Sequence, residues 1–170
     1  QITSMEFSPR DPLLAVGFYA DDEDNGLRII NTDSWQLLLN TPKLEYVNSI
    51  AWSPDGDHLA VVHAPSFQTS VLTVYNRNNW SKEFELTTNT PIRPIKIRFS
   101  PDGSRLAVYG NQENGPSIAR VVLYNTTTWQ VANSFDVQGG NQTYGAFGPD
   151  FSFTPDGRYL AIPGSELGAF

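Results

Sequence analysis

Trp52-Ser53-Pro54-Asp55-Gly56-Asp57-His58-Leu59-Ala60 is the stretch that decides the fold, because the chain carries four versions of it. The others are Phe7-Ser8-Pro9-Arg10-Asp11 with Leu14-Ala15, Phe99-Ser100-Pro101-Asp102-Gly103 with Leu106-Ala107, and Phe153-Thr154-Pro155-Asp156-Gly157 with Leu160-Ala161. In every copy leucine follows the aromatic residue by seven positions, and the prolines lie 45, 47 and 54 residues apart. A period of that length marks one supersecondary unit repeated along the chain. Proline presets φ and glycine accepts a positive one, so Pro-Asp-Gly reads as a tight turn between two strands.

The unit extends in both directions from the turn. Upstream, apolar residues stand two and five places before the aromatic, as Ile2 and Met5, Val47 and Ile50, and Pro94 and Ile97; the fourth copy keeps Phe151 but has Gly148. Downstream, an aliphatic run ends in asparagine with tryptophan four residues on: Asn31 to Trp35, Asn76 to Trp80, Asn125 to Trp129. Each unit therefore reads as an antiparallel meander. The first strand ends on the aromatic and Leu-Ala opens the second; the third runs as Val71 to Asn76, and the fourth begins at the tryptophan, as Trp80 to Leu86 or Trp129 to Val137. The first two strands are mostly apolar, as in a sheet covered on both faces, whereas Trp80-Ser81-Lys82-Glu83-Phe84-Glu85-Leu86 mixes in charge.

Such units bury their flanks only by stacking side by side. The expectation is an all-β chain, a β-propeller with three complete four-stranded blades and the first half of a fourth: repeats at 1–46, 47–93 and 94–147, then a partial one at 148–170. That tally leaves a ring of about six to eight blades unfinished. Together with a first strand that opens at Gln1 without a methionine, it predicts a segment of a larger propeller, the remainder lying in the same or another chain.

Composition narrows the partners. With 39% hydrophobic and 17% charged residues among 170, the chain can build a packed core. Its net charge of −7 and the absence of any basic run argue against a nucleic-acid partner. No window approaches a membrane span, and no targeting segment is visible. Cysteine is absent, which removes disulfides and thiolate metal sites and leaves localisation open.

The aromatic-Ser-Pro-Asp-Gly turn followed by Leu-Ala resembles the most repeated stretch of the WD40-like β-propeller superfamily, and the resemblance covers nearly the whole chain. It implies a propeller fold, and its departures from the family pattern place the chain among divergent, bacterial or viral propellers rather than eukaryotic scaffold proteins. The family's Gly-His pair is missing before every first strand, and Tyr75-Asn76 and Tyr124-Asn125 stand where Trp-Asp would close the third. The buried His-Ser-Asp network that the resemblance would imply is therefore not carried over. Leu59 to His63, with Val74-Tyr75-Asn76 and Trp80, is also similar to repeats in bacteriophage structural proteins.

Candidate sites are sought where the repeat breaks. Asp21, Glu23 and Asn25, in Asp21-Asp22-Glu23-Asp24-Asn25-Gly26, have the alternate spacing of a calcium loop, but Thr32 stands where the closing glutamate should be. A solvated acidic turn is the preferred reading, with calcium as the alternative and no cofactor expected. His58 and His63 share a strand at odd spacing and face opposite ways. The repeated serines read as caps of backbone amides, and Trp35, Trp80 and Trp129 as packing beneath their turns. Loops on a rigid ring carry recognition. The expected contact surface for a protein partner is Tyr19, Asp22 and Asp24 with Asn141, Tyr144 and Phe147. The leading function is a non-catalytic interaction or structural scaffold. The alternatives are an enzyme or carbohydrate-binding propeller with its site partly in other blades, or a phage or virion structural or receptor-binding component.

Overall fold

The computed structural model describes residues 1–19, 25–42, 44, 46–66, 69–86, 92–111, 119–137, 150–162 and 168–169. They form two compact units, Gln1–Thr88 and Asn89–Phe170. The first unit holds two four-stranded antiparallel sheets, each a simple meander: β1 (Ile2–Phe7), β2 (Leu13–Phe18), β3 (Gly26–Asn31) and β4 (Leu37–Pro42), then β5 (Val47–Trp52), β6 (His58–Ser66), β7 (Thr69–Asn76) and β8 (Lys82–Leu86). The second unit repeats the plan in β9 (Arg93–Phe99), β10 (Arg105–Asn111), β11 (Ala119–Asn125) and β12 (Val131–Val137). Its other sheet comprises β13 (Ser152–Phe153), β14 (Tyr159–Ala161) and β15 (Gly168–Ala169), one strand more than the repeat predicts.

Proline and glycine close the β5–β6, β9–β10 and β13–β14 turns as the sequence requires. Gly56, Gly103 and Gly157 have φ of 75°, 72° and 69°, and each donates its N–H to the Ser or Thr carbonyl three residues back. The hydroxyl does two jobs. Ser100 Oγ donates to Asp102 Oδ1 at 2.6 Å and accepts the Arg105 N–H at 3.0 Å. Ser53 and Thr154 make the same pair of bonds, to Asp55 and His58 and to Asp156 and Tyr159. In the first copy Asp11 replaces the glycine, and Ser8 Oγ instead accepts the N–H groups of Arg10 and Asp11.

The fourth strands begin later than the sequence suggests. Trp35, Trp80 and Trp129 lie outside them with φ near 57°, 57° and 55°, a left-handed conformation that cannot continue a strand. The preceding asparagine explains why. Asn125 Oδ1 accepts the N–H groups of Thr127 and Thr128 at 2.9 Å each, while its carbonyl accepts the Trp129 N–H at 2.8 Å, closing a five-residue turn on the indole residue.

Within each unit the sheets pack face to face through the same register. Leu13, Ala15, Leu27 and Ile29 meet Val47, Ile50, Trp52, Leu59, Val61 and Tyr75 in the first. Ala107, Val121 and Leu123, with Tyr109, Ala119 and Val137, meet Phe151, Leu160 and Ile162 in the second, where Phe153 joins from the edge. Polar clamps cross both seams. Trp52 N–H donates to the Glu6 carboxylate at 2.8 Å and Ile50 N–H to Ser4 Oγ at 3.2 Å, while Arg98 pairs with Asp150 at 3.0 Å. At the turns Arg10 reaches Asp57, and Arg77 reaches Asp11, both at 2.9 Å.

The first strand departs from the expectation of coverage on both faces. Ile2, Met5 and Phe7 are 61%, 63% and 65% exposed, whereas Val47, Ile50 and Trp52, at the same register one repeat later, are 0%, 7% and 5% exposed. The second set has a neighbouring sheet against it within its unit. Trp35 is exposed as well, so the packing role expected of it is not met here; Trp80 packs on the core and meets the Trp52 ring edge-on at 6.2 Å.

Candidate functional site

An antiparallel meander puts the β1–β2 and β3–β4 turns at one end of a sheet, and the β2–β3 loop and the departure to the next sheet at the other. Tyr19, just past β2, lies at this loop end of the first sheet. Its ring stacks on Tyr46, the residue before β5, with centroids 4.5 Å apart and planes 18° from parallel. Both rings are partly exposed. Tyr46 holds φ at 47°, a left-handed value that costs an aromatic residue roughly 1 kcal/mol or more. Nearby on the first sheet the Arg28 guanidinium lies 4.1 Å from the centroid of the Phe18 ring.

Of the contact residues predicted from the sequence, only Tyr19 falls on described chain. Asp22, Asp24, Asn141, Tyr144 and Phe147 lie outside the described residues, as do Asp21 and Glu23 of the candidate calcium loop. Sequence reasoning missed Tyr46. Its signal was available: it takes the register held by Gln1 and Arg93 in the neighbouring copies, so it departs from the repeat as Tyr19 does.

The two histidines occupy unlike settings. His58 Nε2 stands 2.9 Å from Glu83 Oε2, and the other Glu83 oxygen accepts from Asn76 Nδ2 at 2.6 Å. His63 is buried, and its Nδ1 has no hydrogen-bond partner among the described residues. Burial, helped by the charge of Lys82 and opposed by Glu85, lowers its pKa to about 4, so the ring is neutral at physiological pH. Thr73 Oγ1 and Glu85 Oε2 lie 3.4 Å apart near the Lys82–Glu85 ion pair. Burial also raises the Tyr75 hydroxyl pKa. Among the described residues no group of three or more His, Asp or Glu side chains is placed to hold a metal. No described helix is long and apolar enough to cross a membrane.

Comparison with known proteins agrees with this geometry. Residues 39–64, from β4 into β6, match the family model described as "WD domain, G-beta repeat". The fold is also that of the WD40 domain from Toxoplasma gondii coronin, with a TM-score of 0.71 at 14% identity over 96% of this chain and 40% of that one. The WD40 repeats of RRP9 give 0.62 at 14% identity over 80% and 40%. A WD40 repeat match at residues 39–64 and the likeness to solved WD40 domains together support a WD40-like β-propeller fold. Among curated proteins it is similar to Protein HIR1 of Coccidioides immitis, 26% identical over 144 residues, and to Protein HIR1 of Candida albicans, 26% over 141 residues. Each match covers 76% of this chain but only 13% and 15% of those relatives.

Proposed function

We propose that the chain is a run of blades from a larger, non-catalytic β-propeller that serves as a protein-interaction scaffold. Its loop ends meet the partner, and another blade, in the same or another polypeptide, covers the open flank of its first sheet. The observation that carries this reading is a contrast in how residues obey the repeat. Turn hydroxyls and glycines recur from copy to copy and serve the fold, whereas the positions of Tyr19 and Tyr46 carry a different residue in each of the first three copies, and the two rings stack at the loop end. Likeness to WD40 domains supports the fold half of the reading. Its net charge of −7 supports protein over nucleic acid as partner.

The experiment is cross-linking with mass spectrometry on the intact gene product purified with its bound proteins. Cross-links concentrated on the loop-end segments 19–25, 43–46 and 138–149 support the reading. Turnover of a small substrate by the purified protein, or cross-links confined to the turn end, would count against it.

A further inference from the structure

The face of the first sheet turned away from the second repeats, position by position, a face that the second sheet keeps covered. Ile2, Met5, Phe7, Leu14, Val16 and Trp35 take the register of Val47, Ile50, Trp52, Leu59, Val61 and Trp80. The later set packs against the first sheet, whereas every member of the earlier set is at least partly exposed, Trp35 most of all at 73%.

The edge of β1 turns two donors toward the same side. Ser8 N–H donates to the Leu13 carbonyl at 2.8 Å, as Ser53 N–H does to the His58 carbonyl at 3.0 Å. Bonded and non-bonded pairs alternate along an antiparallel ladder, so Met5 and Phe7 point their N–H groups away from β2 as Ile50 and Trp52 point theirs away from β6. Those of Ile50 and Trp52 reach Ser4 Oγ and the Glu6 carboxylate across the seam. β1 is the end strand of its sheet. An apolar cover laid on Phe7 takes water from its N–H, and a buried N–H without an acceptor is strongly disfavoured.

The two seams of the chain show which acceptor suits. Three residues before its aromatic the covered sheet carries Ser49 in one seam and Asp150 in the other; one residue before its aromatic the covering sheet carries Glu6 and Arg98. Arg98 spends its guanidinium on Asp150 at 3.0 Å, while Glu6, facing a sheet with serine there, accepts the Trp52 N–H at 2.8 Å. The first sheet has Ser4 at this place and so matches the Glu6 kind of seam. Asp57 and Arg77, which form ion pairs across the seam at the turn end, have the uncharged counterparts Pro12 and Thr32 in the first sheet.

We propose that the open face of the first sheet docks a sheet of the same repeat from outside residues 1–170, and that this sheet carries a side-chain acceptor, Glu, Asp, Gln or Asn, immediately before its aromatic to receive the Phe7 N–H. The inference rests on the covering blade proposed above and adds the chemistry that blade brings to the seam.

The test uses the intact gene product purified with its bound proteins. A photoreactive methionine analogue in place of Met5 identifies the covering segment, and hydrogen exchange on the unmodified protein compares the Phe7 amide with that of Trp52. The cross-linked peptide should come from an aromatic-Ser/Thr-Pro repeat with one of the four acceptors before the aromatic. The Phe7 amide should exchange within about tenfold of the Trp52 rate, and replacing the acceptor by alanine should speed Phe7 about tenfold or more while leaving Trp52 unchanged. Exchanging that acceptor for another of the four should keep Phe7 protected, which separates a lost bond from a lost fold. Arg, Lys or an apolar residue at that place, or a Phe7 amide that exchanges more than about tenfold faster than Trp52, would overturn the proposal and leave the covering blade standing. Cross-links to a second copy of residues 1–170, or to a segment outside any such repeat, would overturn both.

Discussion

Glu6 holds Trp52 twice: its carboxylate accepts the Trp52 backbone N–H at 2.8 Å, and its backbone carbonyl takes the indole Nε1–H at 3.3 Å. These bonds join the first strands of two successive sheets, where β5 has no strand beside it on that edge. Glu6→Ala leaves the Trp52 N–H without its acceptor and should cost about 1–3 kcal/mol. Glu6→Gln keeps an acceptor and should cost less than half as much. Urea unfolding followed by tryptophan fluorescence distinguishes the two.

Close backbone approach makes a second prediction. A Cβ on Gly110 would stand within van der Waals overlap of the Arg93 carbonyl, and one on Gly17 would overlap Val47. Gly110→Ala meets backbone, which cannot turn aside, so it should destabilise by about 3 kcal/mol or more, and Gly17→Ala by about 1–3. A thermal melt in which Gly110→Ala behaves like wild type would disprove the packing of β9 on β10.

The serine of each turn is predicted to act with its aspartate as one unit. Ser100→Ala removes a donor to Asp102 and an acceptor for Arg105, at a cost of about 1 kcal/mol. Asp102 Oδ1 also accepts the Ser104 N–H, so Asp102→Ala should cost a similar amount. A double-mutant cycle should show the two effects summing to less than their separate values. Strict additivity would show that the hydroxyl and carboxylate act independently.

Stability should fall with pH in a window set by His63. Its folded pKa, about 4, lies below the ordinary 6.5, so between these values the unfolded chain binds the extra proton. The stabilisation is complete above about pH 6.5, declines as pH falls and is gone below about 4, a change on the order of 3 kcal/mol. His63→Leu should flatten the curve there. The turn carboxylates Asp55, Asp102 and Asp156 have pKa values lowered from 3.8, so their contributions are lost at still lower pH. Equal slopes for wild type and His63→Leu from pH 6.5 to 4 would refute the assignment.

The parts of this fold that sequence revealed are those governed by local chemistry. Pro54-Asp55-Gly56 and its kin announce their turns because few other residues satisfy that backbone, and Leu59-Ala60 announces the strand that follows. The start of the fourth strands was hidden. No propensity predicts tryptophan in a left-handed conformation; the asparagine turn before it goes with it, since exposed Trp35 holds the same φ as packed Trp80. Tyr19 was found because loops carry recognition, but its partner Tyr46 lies 27 positions away, and only the pairing of β5 with β6 beside β2 brings the rings together. The unequal fates of Phe7 and Trp52 are likewise tertiary, since the residues are near-synonyms in the repeat and differ only in what packs against them.

That contrast offers the most direct test that a further blade covers the first sheet. The 170-residue chain has no cysteine, so a thiol placed at Phe7→Cys reports on its own surroundings once any others in the intact gene product are removed. Its rate of alkylation should be at least tenfold slower in the intact gene product purified with its bound proteins than in residues 1–170 alone, and close to the rate for Trp52→Cys. Alkylation at the same fast rate in both would show that no blade packs on Phe7 and would contradict the account.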